Sequence, residues 1–306
     1  MINGWKNMET MRVMVTGSSG FLGRHVLNQL LERGHDVLGF DIATPERPVA
    51  PFVKGDFTSK EDLSPRLRKM DAVCHVGAVG DVYLADRDPA LAFRVNAFGT
   101  HIVSECCVSA GVRKLVYAST WEVYGLPEYQ PIDEHHPCNP ATSYSISKLA
   151  GELVARGKAP GSIILRLGTA YGPFMRSSSV IRRFVETAAS GKGITVLGDG
   201  TQFRQFTHAM DIARAFQLSV ESEVHEGVFN IVSGESTTIE ELARLVSGFY
   251  SVPIEHKPQR EGDPPSGQVS SRLAGEKLGW TSSIAFADGM AKVIDWIEEQ
   301  HLVKAG

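Results

Sequence analysis

Residues 13–23 read VMVTGSSGFLG, an apolar run that leads into Gly17, Gly20 and Gly23 at intervals of three. The run predicts a buried strand, and the amphipathic segment that follows, ending near Gly34, predicts a helix. In a turn of this kind the first glycine permits the sharp connection, the second lets a diphosphate approach the backbone, and the third lets the helix pack against the strand. The helix N-terminus offers free N–H groups to the anion. The stretch therefore predicts a dinucleotide-binding turn.

Short apolar runs alternate with helical patterns along most of the chain. The strand candidates are RVMVT (12–16), DVLGF (36–40), DAVCHV (71–76), KLVYAS (114–119), SIILRL (162–167) and GVFNIVSG (227–234), and helical patterns cover 238–250 and 285–300. Near-continuous apolar runs are typical of parallel strands that are buried on both faces. The alternation predicts an α/β fold, a Rossmann-type doubly wound parallel sheet with a smaller, mixed C-terminal substrate lobe.

The predicted domain boundary is discontinuous, because a strand-like run returns after a stretch rich in glycine and proline. The predicted sheet domain, which binds the dinucleotide, comprises residues 8–172 and roughly 205–235. The predicted lobe comprises roughly 173–204 and 236–306.

The composition of the 306-residue chain is that of an ordinary globular protein, with 42% hydrophobic and 22% charged residues. The formal net charge is −4 and no long basic run is present, which argues against a dedicated nucleic-acid surface. Each apolar stretch is shorter than the roughly 18 residues that span a bilayer, so no membrane association is expected. The four cysteines lack metal-ligand spacing and predict reduced thiols in a cytoplasmic protein. The ten histidines include no HExxH motif, so no metal is expected, and His135 and His136 are predicted to be exposed in a polar loop.

Carboxylates after the second and third apolar runs are candidates for binding the adenosine end of the dinucleotide. Asp41 follows the second run, where a carboxylate hydrogen-bonds the ribose hydroxyls of NAD and repels the extra phosphate of NADP. Asp56, followed by Phe57, is a candidate for the adenine edge, with a helix cap as the alternative. Phe21 and Leu22, inside the glycine turn, complete the predicted cofactor contacts. The pattern favours NAD.

The segment PATSYSISKLAGE places Tyr144 and Lys148 four residues apart, on one face of a predicted helix. A phenol is a poor base at neutral pH because its free pKa is about 10. A neighbouring ammonium and a cationic nicotinamide both favour the phenolate, so Tyr144 is predicted to take a proton from a substrate hydroxyl. Lys148 is predicted to hold the nicotinamide ribose at the same time.

With this turn and this pair, the chain resembles the extended short-chain dehydrogenase/reductase family, in its branch of NAD-dependent nucleotide-sugar epimerases and dehydratases. Further matching segments are STWEVYG (119–125), RLGTAYGP (166–173), GDGTQFRQF (198–206), QREGDP (259–264) and EKLGW (276–280). The resemblance implies a Rossmann domain that holds NAD tightly and a small lobe that binds a nucleotide sugar. It also implies a homodimer that forms through two helices of each subunit.

The resemblance assigns the chemistry to three residues. In this family the tyrosine removes a hydroxyl proton while hydride passes from the same sugar carbon to NAD, and by position these roles fall to Tyr144 and Lys148. Thr120 occupies the family's Ser/Thr position and would hydrogen-bond the reacting oxygen. The favoured activity is epimerisation of a nucleotide sugar, most simply of a UDP-hexose at carbon 4, in which a keto intermediate turns over and receives the hydride back.

Substrate-binding positions follow from the same resemblance. Arg204 and Arg260 match arginines that clamp the substrate diphosphate, for which guanidinium groups are suited. Thr169 stands where an asparagine usually contacts that diphosphate, Gln205 replaces the usual aspartate, and Gly77 interrupts the usual H-x-A-A run. These departures leave the identity of the nucleotide sugar open.

Glu122 raises an alternative activity. The related 4,6-dehydratases and uronic-acid decarboxylases have Thr-Asp-Glu or Thr-Ser-Glu where this chain has Thr120-Trp121-Glu122. In the dehydratases the glutamate is a catalytic base, and the middle residue helps to protonate the departing hydroxyl. An indole N–H is a hydrogen-bond donor without useful acidity, so Trp121 cannot be that acid. Epimerisation is therefore favoured, with dehydration or decarboxylation through Glu122 as the alternative.

Overall fold

The computed structural model describes residues 9–159, 161–258 and 267–305. In these segments the strands are β1 (Arg12–Thr16), β2 (Asp36–Asp41), β3 (Phe52–Lys54), β4 (Ala72–His75), β5 (Lys114–Thr120), β6 (Ser162–Leu167), β7 (Thr169–Tyr171), β8 (Ile194–Leu197), β9 (Phe203–Arg204), β10 (Phe206–His208), β11 (Gly227–Ile231), β12 (Thr237–Thr238) and β13 (Ile254–Lys257). The α-helices are α1 (Phe21–Glu32), α2 (Lys60–Leu63), α3 (Val82–Arg87), α4 (Pro89–Ala92), α5 (Thr100–Ala110), α6 (Ser143–Lys158), α7 (Val180–Ala189), α8 (Ala209–Glu221), α9 (Ile239–Tyr250), α10 (Arg272–Leu278) and α11 (Phe286–Ala305). A π-helix covers Phe93–Gly99, and 3-10 helices cover Ser64–Arg66 and Trp121–Tyr124.

Seven strands form one parallel sheet in the order β11-β6-β5-β4-β1-β2-β3. The strands predicted from apolar runs all lie in this sheet, and β1 and β6 begin and end at the predicted residues. The sequence does not predict β3, which is short, lies at the sheet edge and buries none of its residues fully. The strand order reverses between β1 and β4, and a crevice for a ligand is expected at the carboxyl ends of these strands. The Rossmann-type prediction is confirmed.

Apolar cores cover both faces of this sheet. Alternate residues of β1 and β5 point to opposite faces, as the period of a strand requires. On one face Val26 of α1 and Phe216 of α8 pack in the same core, which includes Cys74 of β4. On the other face Cys106 of α5 packs in the core that contains Tyr117 of β5. Cys74 and Cys106 are therefore buried in apolar surroundings.

Away from the cores on the two faces of the sheet, a separate apolar core, called the second core below, is built mainly by α7, α9, α11 and β8. Phe184, Val196, Leu242 and Ile294 represent these four elements in it. The amphipathic patterns at 238–250 and 285–300 correspond to α9 and α11, whose apolar faces are buried here. Trp280, which follows α10, instead packs in the core of the sheet.

One prediction about an exposed loop is wrong. His136 is only 3% exposed, because its Nε2 accepts the N–H of Glu128 at 2.9 Å and the rings of Tyr124 and Tyr129 pack beside it. An imidazole can satisfy a buried backbone donor in this way, which a polar loop sequence does not reveal. His135 is exposed, as predicted.

Candidate active site

The glycine turn between β1 and α1 leaves no room for side chains. Gly17 has a φ of +70°, which favours glycine, and a Cβ there would lie 2.5 Å from the Cα of Gly77. A Cβ on Gly23 would lie 1.9 Å from the carbonyl oxygen of Gly17, and one on Gly20 would lie 3.1 Å from the same oxygen. The three glycines therefore allow α1 to begin close against β1, with its N-terminus facing the crevice at the carboxyl end of the strand.

Asp41 lies beside this turn, at the end of β2. Its carboxylate accepts the N–H of Ser19 at 3.0 Å and the N–H of Ala43 at 2.9 Å, so its orientation is fixed next to the glycines. Asp56 is exposed, and its carboxylate accepts both the N–H and the hydroxyl of Thr58 at 2.8 Å. Asp56 thus stabilises its own turn, while its carboxylate remains at the surface near β3.

The other predicted cofactor contacts differ in their exposure. Phe21 and Leu22 form the first turn of α1 and are partly buried, Phe21 against the second core and Leu22 against the sheet core. The Phe57 ring is buried and packs edge-on against His75, with 4.9 Å between the ring centres. The Phe57 ring is therefore part of the packed interior and is not exposed in the crevice.

Packing explains why glycine occupies position 77. A Cβ on Gly77 would lie 2.5 Å from the nearest carbon of the buried Phe57 ring and 3.3 Å from the backbone nitrogen of Gly17. An alanine, usual at this position in the family, would have to displace that ring. The departure from the family's pattern thus accommodates Phe57.

His75 connects the glycine turn to the surroundings of Lys148. Its Nδ1 lies 2.7 Å from the hydroxyl of Thr16 at the end of β1, and its Nε2 lies 3.2 Å from the hydroxyl of Thr100. Burial and, to a smaller extent, the charge of Lys148 together lower the pKa of His75 to about 3. The ring is therefore neutral. The glycine cradle and the oriented Asp41 fit a dinucleotide, which they would hold at the carboxyl ends of β1 and β2.

The start of α6 is fixed by a capping box. The Thr142 hydroxyl accepts the N–H of Ser145 at 3.1 Å, and the Ser145 hydroxyl accepts the N–H of Thr142 at 3.1 Å. Tyr144 therefore lies in the first turn and Lys148 one turn later. Lys148 is 2% exposed, and its ammonium lies 4.2 Å from the centre of the Tyr117 ring. Burial lowers the pKa of Lys148 to about 7.

Thr120 brings the end of β5 to the same place. Its hydroxyl accepts the N–H of Glu122 at 3.3 Å and lies beside the phenol of Tyr144. Burial raises the pKa of Tyr144, and the negative charge of Glu122 raises it further, whereas Arg176 and the Thr120 hydroxyl oppose the rise. The structure thus brings Thr120, Tyr144 and Lys148 together at the carboxyl edge of the sheet, with Glu122, the fourth predicted catalytic residue, directly after β5.

Asn96, which the sequence analysis missed, supports α6 from the π-helix. Its side-chain amide donates to the carbonyl of Val79 and to the hydroxyl of Ser147, both at 3.0 Å, and accepts the N–H of Val79 at 2.8 Å. Ser147 in turn donates to the carbonyl of Tyr144 at 2.8 Å. π-helical turns occur often at functional sites, but the sequence carries no signal for the extra residue in the turn.

Glu122 lies between acidic and basic groups. The pKa of Glu122 is raised to about 7, mainly by burial. The guanidinium groups of Arg204 and Arg176 oppose this rise, and the carboxylate of Asp86 adds to it. The predicted phosphate ligand Arg204 is thus close enough to act on a residue beside the catalytic threonine. Arg176 was also missed, although its position just beyond the matching RLGTAYGP segment was a signal for it.

A small pocket opens beside the 3-10 helix that follows β5. It is lined by Trp121, Thr169, Phe203, Arg204, Val232 and Val269. Thr169 and Arg204, predicted to bind substrate, therefore share one pocket, and the Trp121 indole forms part of its wall. Nη1 of Arg204 donates to the carbonyl of Phe203 at 2.7 Å. Arg260 lies outside the described residues.

Gln205 closes the base of this pocket. Its amide nitrogen donates to the carbonyl of Ser233 at 2.7 Å and to that of Val269 at 3.1 Å, and its oxygen accepts the N–H of Val269 at 2.7 Å. An aspartate, usual here in the family, has no such donor. The departure at position 205 is therefore a structural tie between the strand region and the 267–269 segment.

Replacing Gln205 with Asp is expected to lower the free energy of unfolding by about 2–4 kcal/mol, because the carboxylate would leave two buried carbonyl groups without a donor. Chemical denaturation measures the change. Gln130→Glu is the matched control, since its exposed oxygen accepts the N–H of Gln268 and a carboxylate retains that role. Equal stability of Gln205→Asp and the unsubstituted protein would refute the assignment.

The profile of the NAD dependent epimerase/dehydratase family matches residues 13–232. Because this match covers more than half of the chain, the protein belongs to the NAD-dependent epimerase/dehydratase family. The family depends on NAD and solved relatives hold it, so NAD is the cofactor of this enzyme.

Individual relatives span both activities of the family. UDP-glucose 4-epimerase of Mycolicibacterium smegmatis is 30% identical over 95% of this chain and 99% of that protein. dTDP-glucose 4,6-dehydratase of Streptomyces antibioticus is 28% identical over 94% of this chain and 93% of that protein. The crystal structure of UDP-glucose 4-epimerase from Thermotoga maritima with UDP-glucose is 28% identical, covers 95% of this chain and 100% of that chain, and superposes with a TM-score of 0.87.

The described segments lack a membrane-spanning helix and a cluster of metal ligands. Among the helices of the described segments, none combines the length and apolar character needed to cross a bilayer. Residues 9–159, 161–258 and 267–305 also contain no group of three or more His, Cys, Asp or Glu side chains placed to hold a metal ion.

Proposed function

We propose that this enzyme epimerises a nucleotide sugar, and that the substrate is a UDP-hexose inverted at carbon 4. The observation that carries the proposal is that Thr120, at the end of β5, lies beside Tyr144, one helical turn from the buried Lys148. These groups can exchange a proton with one sugar hydroxyl. The neighbouring Trp121 offers no acid for expelling a second hydroxyl.

The chain's own residues handle the proton of the reaction. When bound, NAD accepts a hydride from the sugar carbon and returns it. Tyr144 takes the proton of the carbon 4 hydroxyl as the hydride leaves and gives it back when the hydride returns. The hydroxyl of Thr120 donates to the reacting oxygen, and the Lys148 ammonium stabilises the phenolate. Inversion follows when the keto sugar presents its other face before the hydride returns.

The charge of Lys148 matters because burial disfavours the phenolate. Burial and Glu122 raise the pKa of Tyr144, which by itself would keep the phenol protonated at neutral pH. Arg176 opposes this effect. The ammonium of Lys148, one helical turn away, is expected to act in the same direction, because a nearby cation favours the phenolate. Tyr144 thus works as a base only while cations surround it.

The substrate diphosphate is proposed to lie in the pocket that contains Thr169 and Arg204. A guanidinium group binds phosphate oxygens in a bidentate manner, and a hydroxyl adds one further donor. Arg260 is proposed as the second arginine at the diphosphate, on the basis of its sequence context.

The direct test is to incubate the NAD-loaded enzyme with UDP-glucose and follow the sugar by proton NMR. We expect UDP-galactose to accumulate until the two sugars reach equilibrium. A UDP-glucose signal that stays unchanged, while another nucleotide sugar reacts, would overturn the substrate assignment.

A lyase is the alternative, and the buried Glu122 supports it because its pKa near 7 suits a general acid or base. The family includes dTDP-glucose 4,6-dehydratase relatives, and the glutamate matches their motif. Against this activity stands Trp121, which occupies the position of the family's acid and is buried in the core with Val123 and Tyr124.

Replacing Glu122 with Gln distinguishes the two activities. If the enzyme is an epimerase, kcat should stay within a few-fold, whereas loss of a catalytic base costs about 10²–10⁴-fold.

The Glu122→Gln variant should also unfold at a higher temperature than the unsubstituted protein at pH 8 but not at pH 4. The pKa of Glu122 is raised from 4.5 to about 7, so the folded state loses stability as the pH rises from about 4.5 to about 7, and glutamine avoids this loss.

We further propose a homodimer joined through α5 and α6. Exposed apolar side chains on and beside these packed helices support it, namely Phe98 at 52%, Val108 at 49%, Ile146 at 40% and Leu153 at 58% exposure. Light scattering should give twice the chain mass, and Leu153→Glu should give a monomer. A monomeric unsubstituted protein at micromolar concentration would contradict the proposal.

The predicted division into a NAD-binding domain and a nucleotide-sugar lobe is part of the same proposal. The separate apolar core of α7, α9 and α11 supports it. A cytoplasmic location is also proposed, in keeping with the four free thiols. Limited proteolysis in the presence of NAD tests the division, since the predicted domain should be protected and the lobe cut first.

A further inference from the structure

Glu152 is a fully buried carboxylate on the helix that carries the proposed base. It follows Tyr144 and Lys148 along α6 at the same spacing of four residues and has 0% exposure. Carboxylates are almost never fully buried unless they are paired. The chemistry proposed above assigns it no role.

Two neighbouring strands hold this carboxylate. Arg166 of β6 donates from Nε to Oε2 at 3.1 Å and from Nη2 to Oε1 at 2.5 Å, a bidentate pair in which the arginine is 4% exposed. Ser119 of β5 donates its hydroxyl to Oε2 at 3.0 Å. Ser119 directly precedes Thr120, so Glu152 connects α6 to the residue before the proposed catalytic threonine.

Stability alone does not account for such a pair. The desolvation of two buried charges often outweighs their attraction, and apolar replacements of similar volume are often as stable. Arg166 also stacks over the Tyr124 ring, with 4.7 Å from the guanidinium carbon to the ring centre. The pair is thus held rigidly, in a place where a charge acts strongly on its neighbours.

The charge of Glu152 affects the pKa of Lys148, which lies one helical turn before it. The titratable groups around its ammonium are His75 of β4, Tyr117 of β5, and Tyr144 and Glu152 of its own helix. His75 is neutral, and burial raises the pKa of Tyr117, which keeps that phenol neutral too. Burial lowers the pKa of Lys148, and the charge of Glu152 opposes that effect.

We propose that Glu152 is a positioning residue, which keeps Lys148 in its ammonium form and ties α6 to the catalytic end of β5. Arg166 holds the Glu152 carboxylate in its orientation through the bidentate pair. The inference rests on the proposed function for its catalytic consequence, but the charge of Lys148 can be measured separately.

The test compares NAD-loaded enzyme with Glu152→Gln, using the 13C NMR shift of the Lys148 side chain, assigned by its loss in Lys148→Arg. The titration midpoint of Lys148 should fall by at least about one pH unit in Glu152→Gln. The alkaline limb of the pH profile of kcat should move by the same amount, with KM for the nucleotide sugar little changed.

Control variants distinguish the effect of the Glu152 charge from an effect on folding. Ser119→Ala removes a hydrogen bond to Glu152 but no charge, so it should leave the Lys148 midpoint in place. If Glu152→Gln fails to fold, the double variant Glu152→Gln/Arg166→Met removes both buried charges, and the midpoint should again fall. An unchanged midpoint in whichever of these two variants folds would overturn the proposal.

The two proposals fail in different ways. If the enzyme does not epimerise sugars, the NMR midpoint should still move when Glu152 loses its charge. If the midpoint stays fixed while epimerisation proceeds normally, the role of Glu152 fails and the proposed function stands.

Discussion

Replacing Tyr144 with Phe should lower kcat by about 10²–10⁴-fold, the contribution typical of a positioned acid–base group. Phenylalanine keeps the ring in place but removes the only atom that can accept the proton. The substitution removes a single hydroxyl beside Thr120, so the melting temperature should change little. The rate is measured by NMR with saturating UDP-glucose, and NAD content is measured from the absorbance of the released cofactor.

Tyr129→Phe is the matched control for this variant. Tyr129 is exposed and bonds only its own loop, donating to Asp133 at 2.8 Å, so its loss should leave kcat unchanged. A Tyr144→Phe enzyme that works within a few-fold of the unsubstituted one would remove Tyr144 from the chemistry.

Replacing Gly23 with Ala should weaken NAD binding by about 100-fold or more. The new Cβ would lie 1.9 Å from the carbonyl oxygen of Gly17, so α1 would have to move away from β1 and the cradle would open. The unfolding midpoint should fall as well, because backbone rather than a flexible side chain must give way. Equilibrium titration of the NAD-free protein with NAD measures the affinity.

Gly157→Ala provides the control, since nothing lies within 4 Å of the Cβ it would add near the end of α6. Its NAD affinity should be unchanged, and its free energy of unfolding should rise by about 0.5–1 kcal/mol because alanine is the better helix former. Normal NAD binding by Gly23→Ala would mean that the glycine turn does not form the cofactor site.

Patterns of local sequence predict the fold well here because each buried strand is a short apolar run. β1 and β6 match their predicted bounds, and the Tyr144–Lys148 spacing correctly indicates one helix face. β3 is missed because an edge strand of three residues has too little buried surface to leave a pattern.

The rest of the site depends on tertiary contacts. Gly77 reads in the sequence as an interrupted motif, but it has a packing reason in the Phe57 ring. Glu152 and Arg166 lie in different elements, and only the fold places a helix carboxylate against a strand arginine. Asn96 and Arg176 act through loops and a π-helix that periodicity does not describe.

The most direct test of the central claim is to supply UDP-glucose that carries deuterium on carbon 4. Because the same carbon gives up and receives the hydride, the product should keep the label and the mass of the substrate while carbon 4 is inverted. Mass spectrometry and NMR of the product establish both. Loss of water with the deuterium transferred to carbon 6 would contradict epimerisation and assign the enzyme to the lyases, with Glu122 as its base.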